Sequence, residues 1–260
     1  MAHYIDLHSH IAWDIDDGMP CQEDAIMALQ LAKKDGIVAI CSTPHFIPGQ
    51  LDTSIYNEMR SRQKELANIS PIPIYFGGEV MMNSEFINGL DLGLYPTIND
   101  TKYMLVEYNV LKDIHSISYH EDTLYELSLR GITPVVAHIE RYFHKELDYS
   151  IIDSWIDEGY ILQINRTSLL GMNGKKIQSN AWQLLENGYC DLICTDTHRA
   201  QGSRVEMLSD AYKEVSKRIG QDNADILFYE NPKRILQGLP VLDIEVERKK
   251  KKKLFGFFRR

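Results

Sequence analysis

The chain has 260 residues, 44% of them apolar, a length that suits a single α/β barrel and a composition that supplies a full core. Its formal charge is −9, yet eight of the 28 basic residues lie in 248–260, leaving 20 basic against 37 acidic residues in 1–247. So acidic a body argues against nucleic-acid binding. With no run near the ~18 consecutive apolar residues of a membrane span, and an opening MAHYIDLHSH unlike a signal peptide, the expected location is the cytoplasm.

Apolar runs rich in β-branched and aromatic residues recur at 4–8, 37–43, 72–76, 103–107, 134–138, 160–165 and 191–195. Each predicts a strand buried on both faces. Between the first two, Ala25, Ile26, Leu29 and Ala32 share one helical face, and Leu124, Leu127 and Leu129 mark a later helix. Lys34-Asp35-Gly36, Leu129-Arg130-Gly131, Asp157-Glu158-Gly159 and Glu186-Asn187-Gly188 each precede a strand, and a glycine there suits the left-handed cap that ends a helix. Strand, helix, glycine and strand in repetition predict a parallel sheet with helices outside. Asn231-Pro232 reads as an N-cap with proline at the first helical position of a last short helix. After Val246 the composition shifts abruptly. One domain is therefore expected over 1–246, with 247–260 as a basic and aromatic tail.

Seven parallel strands can form an open doubly wound sheet or a closed barrel. Nearly every predicted strand ends at or near a residue able to bind metal or phosphate: His8, His45, Glu79, Glu107, His138, Asn165 and Asp196. Barrels draw their chemistry from the carboxyl ends of many strands, whereas open sheets recruit ligands near one switch point. The expectation is a β/α barrel with seven strands.

In Asp6-Leu7-His8-Ser9-His10 the two imidazoles stand at i and i+2, so on an extended strand both face one cation. An isolated H-x-H is more often surface decoration. Here it is joined by Asp16-Asp17-Gly18, Thr43-Pro44-His45, Gly77-Gly78-Glu79, Val106-Glu107-Tyr108, Ala137-His138-Ile139-Glu140-Arg141 and Thr195-Asp196-Thr197-His198, which supply the nitrogen and oxygen ligands of a multi-metal hydrolytic site. Cys194 and Arg199 are spaced C-x₄-R, one residue short of the cysteine-phosphatase loop. All four cysteines lie in or beside apolar stretches with no C-x-x-C pair, as reduced, packed thiols do.

The set D-x-H-x-H, DDG, a histidine after the second strand, GGE, a glutamate ending the fourth, AHIERY and D-x-H resembles the bacterial PHP-family protein-tyrosine phosphatases of the CpsB/YwqE type, from about Ile5 to the Asn231-Pro232 helix. The resemblance implies a distorted (βα)7-type barrel holding three divalent metal ions, Mn²⁺ first, with Fe or Zn²⁺ as alternatives. Carried over residue by residue, the metal ligands would be His8, His10, Asp17, His45, Glu79, Glu107, His138, Asp196 and His198, with Glu79 bridging two ions. Arg141 would grip the phosphate, and Arg204, with Arg199 as competitor, would be the second arginine. The implied reaction is hydrolysis of phosphotyrosine by metal-activated water, on a tyrosine kinase of capsule or exopolysaccharide export. A small-molecule phosphomonoesterase of the histidinol-phosphatase kind and an inactive barrel acting as a scaffold are the alternatives. Phe46 stands where relatives tend to be polar or basic, so different substrate contacts are expected there. The tail, eight basic residues with Leu254, Phe255, Phe257 and Phe258, reads either as a solvated charge run or as a contact with an anionic membrane surface at the inner face of the membrane, with docking onto an acidic partner as a further alternative.

Overall fold

A computed structural model describes residues 2–246; the tail lies outside them. The strands are β1 (Tyr4–Ser9), β2 (Ile37–Ser42), β3 (His45–Phe46), β4 (Ile74–Phe76), β5 (Glu79–Met81), β6 (Tyr103–Glu107), β7 (Thr133–Val136), β8 (Ile161–Asn165) and β9 (Leu192–Cys194). All neighbouring pairs are parallel, in a three-stranded sheet β1-β2-β4 and a six-stranded sheet β3-β5-β6-β7-β8-β9. Every strand expected from the sequence is present. Two of them are followed at once by a further short strand that was not expected: β2 by β3 past Thr43-Pro44, and β4 by β5 past Gly77-Gly78. Proline offers no ladder N–H, which accounts for the gap before β3. Backbone bonds Gly77 N to Ser42 O (3.0 Å) and Glu79 N to Pro44 O (2.9 Å) carry the pairing across both gaps.

At the other side of the molecule, Asp196 N donates to His8 O (2.9 Å) and His10 N to Thr197 O (2.8 Å), so the chain just past β9 pairs with the end of β1. Helices α1 (Gln22–Asp35), α2 (Thr53–Ile69), α3 (Phe86–Leu90), α4 (His120–Leu129), α5 (Tyr149–Asp157), α6 (Arg166–Leu169), α7 (Lys175–Glu186), α8 (Ser209–Ile219), α9 (Gln221–Asp225) and α10 (Asn231–Leu236) connect and follow the strands. The core divides in two because strand side chains alternate. Met104, Val106, Leu162 and Ile193 pack with the helices, in a cluster that includes Ala25, Leu66, Leu124, Trp155, Leu184 and Val215. Tyr103, Leu105, Val135, Ile161, Leu192 and Cys194 form an inner cluster closed at the strands' amino ends by Ile98, Ile235 and Leu236.

The four glycines expected to end helices all have positive φ, between 72° and 98°. Two local expectations fail. On α1, Ile26 is exposed (36%) and Ala28 takes the buried place; Leu129 ends α4 as expected, with an exposed side chain (61%). Asn231 is not an N-cap, because a wider π-type turn over Ile226–Glu230 runs straight into α10. Its buried side chain instead donates to Asp191 O (2.8 Å) and Leu242 O (2.9 Å) and accepts from Leu242 N (2.7 Å), tying the last helix to β9's approach. All four cysteines are free.

Candidate functional site

The carboxyl ends of the strands bring the polar residues together. His8 lies in β1 and His10 just past it; His45 opens β3, Glu79 opens β5, Glu107 closes β6, and His138, Asp196 and His198 follow β7 and β9. His138 and Asp196 hold positive φ (35° and 54°), an uncommon conformation for side-chain-bearing residues that turns each from its strand into the cluster. The nine residues expected as ligands assemble into four overlapping sets: His10, Asp17, His45, His198; His8, His10, Asp196; His8, Glu79, His138; and His45, Glu79, Glu107. Within each set the donor atoms lie within 4.8 Å of one another.

Glu79 is the hub. Its Oε2 stands 3.2 Å from His8 Nε2, 3.1 Å from His10 Nε2 and 3.2 Å from His45 Nδ1, and its Oε1 stands 3.0 Å from His138 Nε2. Outer contacts fix the ring tautomers. Gln163 Oε1 accepts from His8 Nδ1 (3.1 Å) and from His138 N (3.0 Å), while Gln163 Nε2 donates to Asn165 Oδ1 (2.7 Å) and Asn165 Nδ2 to Asp196 Oδ2 (2.7 Å). Asp16 Oδ2 takes the Nδ1 proton of His10 (2.7 Å) and also accepts from His45 N (3.0 Å). The lone pairs of His8 and His10 Nε2, 3.3 Å apart, therefore both point at a carboxylate. Acceptors packed this way repel one another unless a proton or cation sits among them. Among the described residues, His138 Nδ1 has no hydrogen-bond partner, and His45 Nδ1 and Glu107 Oε1 face each other at 3.1 Å outside hydrogen-bond geometry. The donor set, all imidazole and carboxylate, fits divalent transition metals and needs no thiolate.

The electrostatics agree. Burial works against the charged form of His8, but Glu79 and Asp196 outweigh it and push its pKa up to about 9. Burial likewise opposes ionisation of Glu79, which the surrounding histidines nevertheless hold well below the ordinary carboxylate range. Burial and the neighbouring His10 push His198 down. Asp17 differs from the rest, with a side chain 65% exposed; its Oδ1 lies 3.2 Å from His198 Nε2 and 3.4 Å from His45 Nε2.

Two arginines reach the cluster. Arg141 follows His138 on the turn Ile139–Arg141, with Nη1 3.7 Å from Asp196 Oδ2. Arg204 Nη2 lies 2.7 Å from Asp196 Oδ1 and 3.1 Å from His198 Nε2. Arg199 turns elsewhere, onto backbone carbonyls. Phe46 is not at the mouth: it is fully buried against Gly78 and Tyr56. In the sequence Asp16 stood only as part of Asp16-Asp17-Gly18 and Asn165 only as a strand end able to bind metal or phosphate; their supporting roles, and Gln163 altogether, were missed. A glutamine in the middle of the apolar strand ILQIN was the available signal.

A curled parallel sheet carrying imidazoles and carboxylates at its carboxyl rim defines an α/β protein with a cluster able to hold cations. The chain belongs to the family of capsular polysaccharide synthesis proteins CpsB/CapC, whose model matches residues 4–237. It is 31% identical over 245 residues to the tyrosine-protein phosphatase CpsB of Streptococcus agalactiae serotype III (strain NEM316), spanning 90% of this chain and 98% of that one. It is 28% identical over 258 residues to the tyrosine-protein phosphatase YwqE of Bacillus subtilis (strain 168), spanning 98% of this chain and all of that one. A crystal structure from work on YwqE of Bacillus subtilis and CpsB of Streptococcus pneumoniae, described as unique metal-dependent tyrosine phosphatases, superposes with a TM-score of 0.79 at 26% identity, over 95% of this chain and all of the other.

Proposed function

We propose that this chain is a metal-dependent protein-tyrosine phosphatase whose ligands are the nine clustered side chains. One observation carries the reading: imidazole lone pairs and carboxylates converge on Glu79 while Arg141 and Arg204 reach Asp196 beside them, so metal and guanidinium charge would meet around one phosphate dianion. Three divalent ions would be held by these overlapping sets, Mn²⁺ first and Fe or Zn²⁺ as alternatives, and Glu79, a member of two sets, would serve more than one of them. Taking β2 with β3 and β4 with β5 as interrupted single strands, and the β1 to β9 bonds as a seam, gives a distorted barrel of the (βα)7 type over 1–246, with 247–260 as a separate tail.

Divalent ions bound there supply Lewis acidity toward both phosphate and water. The protein's own part is orientation and charge. His8 and His10, held by Gln163 and Asp16, present fixed lone pairs, so the site is preorganised. Arg141 offers its planar fork of donors to the non-bridging oxygens, and Arg204, held by Asp196, adds a second charge at the same edge. A phenolate leaving group, with a pKa near ~10, needs less protonation than an alkoxide. The relatives' names favour phosphotyrosine on protein, and the family's description favours capsular polysaccharide synthesis; the target there would be a tyrosine kinase of capsule or exopolysaccharide export. The tail's basic and aromatic residues would hold the enzyme near an anionic membrane. Among the described residues no helix is long and apolar enough to cross one.

The test compares a phosphotyrosyl peptide with histidinol phosphate before chelation, after it, and after Mn²⁺ is restored. Peptide turnover should vanish on chelation, return with Mn²⁺ and exceed that of histidinol phosphate. Full activity after verified metal removal would overturn the reading.

A further inference from the structure

Asp17 is the one member of the cluster whose side chain is mostly in solvent, so packing does not hold it in place. Its backbone is held instead. On the inner side, Gly18 N donates to Asp16 Oδ1 (2.8 Å) and Met19 N to His10 O (3.2 Å). On the outer side, Arg199 Nη1 lies 2.6 Å from Asp17 O, 2.8 Å from Gly18 O and 2.7 Å from His198 O. One guanidinium nitrogen thus ties the carbonyl of Asp17 to that of His198, two residues that face each other at 3.2 Å from chain segments far apart in sequence. The loop carrying Arg199 is itself closed, since His198 N and Arg199 N both donate to Arg204 O at 3.1 Å.

We propose that Arg199 is a positioning residue, setting the distance between Asp17 and His198 and with it the affinity for the cation that His10, Asp17, His45 and His198 would share. Its Nη1 is held by carbonyl oxygens and turned from the cluster, whereas Arg141 and Arg204 reach Asp196. The inference rests on the reading of Asp17 as a ligand. Removing the tether frees the loop on its outer side, and the entropy of ordering an exposed aspartate then falls on cation binding.

The experiment measures Mn²⁺ binding alone, by equilibrium dialysis and calorimetry on the full chain, for the native protein, Arg199→Ala, Arg199→Lys and Asp17→Ala, with thermal melts in excess chelator. Arg199→Ala should weaken one class of Mn²⁺ by about tenfold, leave the other classes and the chelated melt unchanged, and be partly rescued by Arg199→Lys. Asp17→Ala should lose that same class. Native binding by Arg199→Ala alongside loss in Asp17→Ala would overturn the positioning role alone. A uniform loss across all classes with a lowered chelated melt would also overturn it, as plain destabilisation. Native binding by Asp17→Ala would instead sink the ligand assignment beneath it.

Discussion

Asp16 shows how the roles divide between two adjacent acids. The nearly buried Asp16 orients His10 and holds His45 N, while the exposed Asp17 faces the imidazoles directly. Replacing Asp16 by Asn removes the charge behind His10, and Mn²⁺ affinity should fall by ~10–100-fold; dialysis that returns the native affinity would remove the role given to it. Arg141→Ala should lower peptide turnover by ~10²-fold or more at unchanged Mn²⁺ content, because it takes away a charge-assisted contact and no ligand. His138→Ala should instead lose Mn²⁺, and metal analysis of the two variants separates the cases. Cys194 lies fully buried on the inner face of β9, where burial pushes its thiol pKa well up. Cys194→Ser should therefore keep most activity. The strand-end members of the cluster, His8, His45, Glu79, Glu107, His138 and Asp196, were legible because imidazoles and carboxylates placed together there are hard to explain otherwise, while the full set of nine came from the resemblance to the CpsB/YwqE type. Asp16, Gln163 and Arg199 were not, since their partners are backbone groups or residues brought near only by the fold.

The elements were legible for a related reason: strands buried on both faces spell themselves out as apolar runs, and glycines mark the ends of the helices before them. The short strands β3 and β5 were not, because each spans two or three residues past Thr43-Pro44 or Gly77-Gly78 and pairs with strands that only the fold brings beside it. Gly78 explains the gap before β5. A Cβ there would stand 2.3 Å from the Phe46 ring and 2.7 Å from Pro96, so the chain bends at a residue with no side chain, and Glu79 emerges next to it. Gly78→Ala should destabilise the fold by about 1–3 kcal/mol through overpacking, and a denaturant midpoint equal to the native one would show that Phe46 moves aside. A second element-level feature joins two loops on the site's rim. His115, half exposed on the turn Ile114–Ser116, bonds Asp148 at the start of α5 (3.0 Å) and Asp113 (2.6 Å). Asp148, then Asp113, raise its pKa; the ring also meets the edge of Phe143, and His120 lies near. A raised histidine contributes stability that is complete below its ordinary value and is lost as pH rises through its folded value. The amides of His144 and Ser150 should thus exchange faster as the ring titrates, at a pH above ~6.5. An NMR titration midpoint at or below that value would remove the latch.

At the scale of the molecule the two rims of the sheet do different work. The carboxyl rim holds the cluster. At the amino rim, Ala2 and His3 border one cavity with Gln221, Asp225 and Glu230, and the Asn223 side chain donates to Glu245 O (3.0 Å) and accepts from Glu245 N (2.9 Å). The last described residue, Val246, therefore leaves from the rim away from the cluster. If the tail meets anionic lipid, the full chain should pellet with anionic vesicles and a chain ending at Val246 should not, while both hydrolyse a soluble peptide equally; equal pelleting would leave the tail without that role. The placement also sets a reach. If the tail held the amino rim itself against that lipid, the mouth would face outward, at a height of about the six-residue span of β1, on the order of 20 Å. Tyrosines on a long, loose polypeptide could climb to that height. Those close to the bilayer would stay beyond it, so the anchor would select targets by the length of their leash.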